Sequence, residues 1–308
     1  MFTSTLGPMA PLVSLAAGTL LKATVLLILV AIAAHLLRRR SAALRHLLWT
    51  LAIVGLVALP VLTPLVPFRL GVLPATTSRA VERLTSESSG PSSREPDEKQ
   101  GGEAVTPPPV STGAGAQPAD PVDANQGGGF DLTTFVVVMW LAGASLLFAR
   151  FAIGLIIVHG IARRSKPLTG DGWPTLTDRS TSALGVRSSV AFRCSGEIAM
   201  PFACGLIRPT IVLPSASEEW TLERREAVLM HELAHISRGD LAMNTLSHFV
   251  RALYWFHPLA WLAAYRLRVE GERACDDAVL RAGALPSDYA EHLLSIVRSV
   301  GKSVPSAA

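Results

Sequence analysis

Charge is scarce in this chain of 308 residues: only 17% are Asp, Glu, Lys or Arg, against about a quarter in ordinary soluble domains. Apolar residues make up 49%, and the mean hydropathy is +0.37. A plain cytosolic enzyme does not have this balance, and neither does a wholly disordered chain. There are three cysteines and no CxxC pair, which removes a disulfide framework and a cysteine zinc site. No repeat period is present, so collagen, coiled-coil and solenoid architectures fail. A net charge of +4 and a pI near 9.2 suit a membrane protein with basic inner loops. They give no reason to expect direct nucleic-acid binding.

The apolar residues are gathered in long runs. The first spans about 12–37, with Lys22 as its only charge, and is long enough to cross a hydrocarbon core of ~30 Å. Its rival reading is a cleaved leader ending at Ala31–Ala34, but the cluster Arg38, Arg39, Arg40 and Arg45 that follows resists translocation. A second run covers 47–66 without a charge. A third covers 132–158, interrupted by Arg150 and followed by Arg163, Arg164 and Lys166. The basic connections predict an N-terminus outside and everything after Val158 in the cytoplasm. Between the second and third runs, Pro74 to Gly129 holds eight prolines and eight glycines in 56 residues. Such a stretch cannot build a packed core, so 67–131 reads as a disordered extracytoplasmic loop.

Past residue 159 the pattern changes. Ser189–Cys194 and Arg208–Pro214 read as strands, punctuated by Gly196, Pro201, Gly205 and Pro209. A helix is predicted from about Leu222 to Ser237, stopping at Gly239. Ser215 with Glu218 suggests a capping box, and Thr221 is a second N-cap candidate. On that helix lies His231-Glu232-Leu233-Ala234-His235. Histidines four apart share a helix face and offer two imidazoles to one metal, while the glutamate between them reaches a water as general base. With eight histidines and 14 glutamates in the chain, chance produces this pattern in roughly one such sequence in a hundred.

A catalytic zinc needs a third protein ligand. The next acidic cluster contains Glu270, Glu272, Asp276 and Asp277, and spacing alone does not separate Glu270 from Glu272. Within it, Glu272 and Asp276 stand four apart, so one can bind metal while the other holds a histidine's far N–H. The plain alternative is a solvated acidic face paired with Arg266, Arg268 and Arg273. The intervening stretch, 241–264, has no uncharged run long enough to span, and reads as a buried helix or one dipping into the interface. His257, before Pro258, reads first as a hydrogen-bonded histidine at a helix break and second as a donor to a tetrahedral intermediate.

Four blocks now stand in order: GLIRPTIVLP (205–214), HELAHISRGD (231–240), YWFHPLAW (254–261) and ERACDDAVL (272–280). Together with the three spans they resemble the BlaR/MecR-type membrane metallopeptidases, which are beta-lactam sensor-transducers and their relatives. The resemblance implies a multi-pass α-helical membrane protein with a cytoplasmic α+β gluzincin-like zinc metalloprotease domain over 159–308, holding one zinc per chain. It also implies the inner membrane of a bacterium. It implies His231, His235 and Glu272 as ligands, Glu232 as the catalytic base and Asp276 as the partner of a ligand histidine. Arg238 and Asp240 match the family's H-x-x-R-x-D extension and are accessory, structural positions. The implied substrate is a cytoplasmic protein, in the best-known members a transcriptional repressor, cut after an outside signal. An exposed strand within Gly205–Pro214 would offer that substrate an edge.

The beta-lactam sensors continue through a fourth span to an outer penicillin-binding domain, and no such span follows here. This predicts a shortened member, a separate sensor subunit, or a piece of a longer chain. Two rival functions share the motifs: a membrane-protein quality-control metalloprotease, and a non-proteolytic zinc-containing receptor or scaffold. Substrate breadth separates the first rival, and the behaviour of Glu232→Gln separates the second.

Overall fold

The computed structural model describes residues 10–65, 132–291 and 294. The chain divides into two units, Met1–Pro67 with Leu132–Ala308, and Phe68–Asp131. The second unit, and with it the expected disordered loop over 67–131, lies outside the described residues.

The described part is mostly helical and carries a small mixed sheet. Its elements are α1 (Ala10–Leu36), a 3-10 turn (Leu37–Arg39), α2 (Ala42–Leu65), α3 (Leu132–Arg164), β1 (Lys166–Pro167), α4 (Trp173–Ala183), β2 (Ala191–Ser195), β3 (Phe202–Cys204), β4 (Thr210–Pro214), α5 (Leu222–Arg238), α6 (Asp240–Leu253) and α7 (Pro258–Arg281). Among the described residues, three helical stretches are long and apolar enough to cross a membrane: Leu15–Arg39, Ala42–Thr63 and Leu132–Arg164. Their outward faces are oily, with Leu29, Leu51, Val61, Leu146 and Ile156 all exposed.

The second apolar helix begins earlier than the hydropathy predicts. It starts at Ala42 rather than Leu47, which puts Arg45 and His46 inside its first turns. Their polar groups are met there. Arg45 Nη1 donates to the carbonyls of Arg38 (3.1 Å) and Arg40, and its Nε donates to Glu270 Oε2 at 2.8 Å. The third helix runs past Val158 to Arg164, where two arginines suit the negative end of the helix dipole.

The stretch 241–264 forms two helices, with the break at His257–Pro258 that the sequence also suggested. Pro258 has no N–H to continue a helix but fits the first position of a new one, and it opens α7. The turn between α6 and α7 is tied to all three apolar helices. Tyr254 Oη donates to the carbonyl of Leu56 in α2 at 3.0 Å, and His257 Nε2 lies 3.0 Å from Thr24 Oγ1 in α1. Two indoles bond to α3 reciprocally: Trp140 Nε1 to Leu253 O at 3.0 Å and Trp255 Nε1 to Trp140 O at 3.2 Å. A Cβ at Gly143 would lie 2.4 Å from the Trp255 ring, so only glycine admits this approach. Ala23, Ala34, Ala52, Ala260 and Ala263 line the core shared by α1, α2, α6 and α7; small residues let apolar helices come close.

The sheet has the order β1-β2-β4-β3. Its β1–β2 and β3–β4 pairs are antiparallel, and β2–β4 is parallel. Strand β4 is therefore interior, and the expectation that Gly205–Pro214 offers a substrate edge is corrected: the open edge on that side is β3. The chain turns back at Gly205 (φ 88), so the segment before the turn takes the outside position. Both faces of β4 are covered, as its unbroken apolar run requires. Ile211 and Leu213 pack with Trp173, Leu176, Leu229 and Leu233 of α4 and α5. Val212 points the other way, to Ala162 of α3. The Ser215 capping box is also corrected. Ser215–Glu219 forms a 3-10 turn with no side-chain cap, and Thr221 caps α5 by accepting the Arg224 N–H at 3.4 Å.

Arg45 and Glu270 form a buried pair, at 2.8 Å with side chains 12% and 4% exposed. Arg45→Met is expected to lower stability by about 3–5 kcal/mol, because a buried carboxylate loses its main counter-charge. Replacing both partners with methionine is expected to recover most of this. Denaturant unfolding of the detergent-solubilised chain checks both.

Candidate metal centre

Helix α5 carries both histidines of the motif on one face. Helix propagation alone sets their spacing, and the rings lie 5.0 Å apart, nearly perpendicular. Gly239, with φ 72, ends the helix in the left-handed conformation. Asp240 opens α6 directly after it, and this tight reversal carries its carboxylate back to His235. His235 Nδ1 lies 3.0 Å from Asp240 Oδ2, which also accepts from Arg238 Nε at 3.2 Å. Cys275 Sγ stands 3.3 Å from the same Nδ1 and 3.6 Å from Asp240 Oδ2.

His231 is held separately. Its Nδ1 is 3.2 Å from Asp276 Oδ1 and 3.0 Å from Tyr289 Oη, and Tyr289 donates to Asp276 at 2.7 Å. Both inner nitrogens thus face carboxylates, which favours the Nδ1–H tautomer and leaves each Nε2 with a free lone pair. The two Nε2 atoms converge on one oxygen. His231 Nε2 is 3.4 Å and His235 Nε2 is 3.7 Å from Glu272 Oε2. Atoms of His231, His235 and Glu272 that could bind a metal all lie within 4.8 Å of one another. Glu270 points elsewhere, to Arg45 and Arg273. A second trio, His235, Asp240 and Cys275, also clusters. It shares His235, and its members bond to each other behind the first group.

The electrostatics follow from this packing. Burial lowers His231, but its bonds to Asp276 and Glu272 outweigh that and raise it to about 9. Burial likewise opposes His235, and Asp240, Cys275 and Glu272 carry it to about 12. Bonds from the two imidazoles hold Glu272 well below the usual carboxylate range. Glu232 keeps a solvent-facing edge but is closely enclosed. Burial pushes its carboxyl up, against the pull of both histidines and of the Ala203 N–H in edge strand β3. Burial also raises the Cys275 thiol, so it stands as a neutral neighbour. A field that favours protons on two imidazoles favours any cation placed between them.

His257 lies at the opposite end of α7 from Glu272, about 20 Å along the helix axis, and bonds to Thr24. Sequence reading passed over Tyr289, Cys275 and His46, all of which the fold brings to this cluster. Cys275 stood inside the ERACDDAVL block, but no spacing rule marked it. Tyr289 and His46 carried no local signal.

The family model described as BlaR1 peptidase M56 matches residues 14–307. The chain belongs to this peptidase family. The resemblance seen in its four sequence blocks is therefore one of membership. Among similar proteins, the regulatory protein BlaR1 of Bacillus licheniformis is 26% identical over 143 residues, covering 46% of this chain and 24% of that protein. The methicillin resistance mecR1 protein of Staphylococcus aureus is 28% identical over 96 residues, covering 31% of this chain and 16% of the relative. The mecR1 protein of Staphylococcus epidermidis matches equally. The chain thus matches a quarter or less of the length of these curated relatives.

In the metal-free protein, Asp240→Asn is expected to bring His235 from about 12 down toward the ordinary imidazole value of 6.5, because the negative charge favouring the imidazolium is gone. His231 is expected to rise if it moves at all, since a charged neighbour becomes neutral. Imidazole nitrogen chemical shifts followed against pH read both.

Proposed function

We propose that this chain is a membrane-embedded zinc endopeptidase that hydrolyses a peptide bond in a cytoplasmic protein, a transcriptional regulator, during transmembrane signalling. The observation that carries this is the convergence of two imidazole Nε2 atoms and one carboxylate oxygen beside the enclosed Glu232. Two nitrogens and one oxygen, with a fourth direction left for water or substrate, are the donor set of catalytic zinc. His231, His235 and Glu272 would hold the ion. Asp276 with Tyr289, and Asp240 with Arg238, would keep the imidazoles turned toward it. When bound, zinc supplies Lewis acidity toward a water and a carbonyl oxygen.

The remaining steps belong to the chain. Glu232, whose carboxyl sits above its ordinary range, is poised to take a proton from the attacking water. It returns that proton to the departing amine as the C–N bond breaks. The free edge of β3, beside Glu232, suits an extended substrate strand. Membership of the M56 peptidase family supports the reaction class, and the BlaR1 and mecR1 relatives support a signalling role. The basic stretches at Arg38–Arg45 and Arg163–Lys166 support an N-terminus outside and the metal centre on the cytoplasmic side.

About one zinc per purified chain is expected, lost in Glu272→Ala and kept at the same stoichiometry, though more weakly, in Glu270→Ala. Glu232→Gln is expected to keep zinc and lose cleavage by several hundredfold or more, as removal of a general base typically costs 10²–10⁴. New protein N-termini in cells with the wild-type chain, compared with cells carrying Glu232→Gln, identify substrates. A small set of cytoplasmic targets supports the proposal, and identical N-termini in the two strains overturn it.

A further inference from the structure

Two neighbouring residues at the start of the apolar helix α2 reach the surroundings of the metal centre: His46 faces Asp240, the partner of His235, and Arg45 pairs with Glu270, two residues before Glu272. Arg45 sets two guanidinium nitrogens 2.8 Å from Glu270 Oε2. Glu270 is buried and lies two residues before Glu272 on α7. The Arg45 guanidinium also binds the carbonyls of Arg38 and Arg40, so it ties the α1–α2 turn to the helix that bears Glu272. His46 lies alongside. Its ring packs on the backbone of Gly271, where a Cβ would sit 3.5 Å from His46 Cδ2. Its Nε2 is 3.5 Å from Asp240 Oδ1.

That oxygen is unusual. Asp240 Oδ2 serves His235 and Arg238, whereas Asp240 Oδ1 is buried and has no hydrogen-bond partner among the described residues. His46 Nε2 faces it at a distance beyond the ~2.9 Å of a good N–H···O bond. Shortening that gap by a few tenths of an ångström would complete the bond. Lengthening it would remove the one N–H that faces this buried carboxylate oxygen and weaken what electrostatic attraction remains, a disfavoured change next to the carboxylate that orients His235. The α2 backbone therefore bears on His235 through Asp240 and on Glu272 through Glu270 and Gly271. Asp276, the partner of His231, meets the same turn only across an open cavity lined by Arg38, Arg39 and Arg40.

We infer that His46 and Arg45 are positioning residues for the metal centre, and that a shift of α2 changes the site by closing or opening the His46–Asp240 contact. This rests on the metalloprotease reading above, and it supplies that reading with a route from an apolar helix to the ligands. A histidine that merely filled space would be replaceable by any side chain of similar size. A positioning histidine requires an N–H donor at the Nε2 position.

The test uses the full chain in lipid nanodiscs. Zinc affinity is read by competition with a chromophoric chelator, and the cobalt(II) form is read by its visible absorption bands. His46→Phe keeps a ring on Gly271 but removes the donor. It is expected to bind zinc roughly tenfold more weakly, at the lower end of what partners of metal ligands contribute, and to shift the cobalt bands. His46→Gln, whose amide N–H can occupy the same place, is expected to return affinity to within about threefold of wild type and to restore the bands. Should His46→Phe fail to fold, His46→Asn, whose amide stops short of Asp240, is the comparison and is expected to be as weak. Wild-type affinity and bands in His46→Phe, or in His46→Asn where that is the comparison, overturn the inference alone. So does a His46→Gln protein as weak as the variant it is compared with. A wild-type chain that binds neither zinc nor cobalt overturns the inference together with the metalloprotease reading.

Discussion

Two imidazole side chains on one helical turn can rotate freely until something holds their inner nitrogens. The constraint on which this site depends is the pair of contacts that do so: His235 Nδ1 to Asp240 Oδ2 at 3.0 Å, and His231 Nδ1 to Asp276 Oδ1 at 3.2 Å. Each fixes a tautomer as well as a ring orientation, and each brings in a different element. Asp240 reaches His235 because Gly239 reverses the chain within one residue. Asp276 reaches His231 because α7 runs beside α5, and Tyr289 closes the gap from beyond the end of α7. Without these carboxylates the outer nitrogens would have no common target. With them, both face Glu272.

The same helix α7 joins this polar cluster to the apolar part of the chain. Its first half packs through Ala260, Ala263 and Leu267 against α1 and α2, and its second half carries Glu270, Glu272 and Asp276. The α6–α7 turn is bonded to side chains and carbonyls of all three apolar helices. In a lipid environment, packing between apolar helices lacks the hydrophobic drive available in water and relies on close contact and hydrogen bonds. The small residues and the indole, phenol and imidazole bonds at this turn meet that need. Glu270 is buried here beside Arg45 of α2, with Arg273 of its own helix on its other oxygen.

Much of this was legible locally. The helix expected over 222–237, its Thr221 cap and its Gly239 stop follow from periodicity and terminal chemistry and lie within one residue of expectation. The three apolar runs follow from run length, although the second helix starts five residues earlier and the third ends six residues later than expected. Readings that needed knowledge of a neighbour were less secure. Ser215 had the spacing of a capping box, but the chain was already turning in a 3-10 helix. The strand at 210–214 was apolar enough for either an edge or an interior position, and pairing with β3 on one side and β2 on the other decided for the interior. Arg45 and His46 looked like a charged connection until Glu270 and Asp240 were seen opposite them.

By itself, then, the sequence determined that oily helices alternate with a compact polar part, that two histidines and a glutamate share one helical turn, and that acidic residues follow at helical spacing. These are properties of nearest and next-nearest turns, where geometry is set by the backbone alone. Spacing left Glu270 and Glu272 open and the family resemblance implied Glu272, which the tertiary structure brings to the imidazoles. Only the tertiary structure decided that Tyr289 and Cys275 join them, that β3 is the open edge, and that α2 touches the cluster through His46. Each depends on segments far apart in the chain, brought together by burial of apolar faces and by the need to pair buried charge, and no local spacing encodes such a meeting.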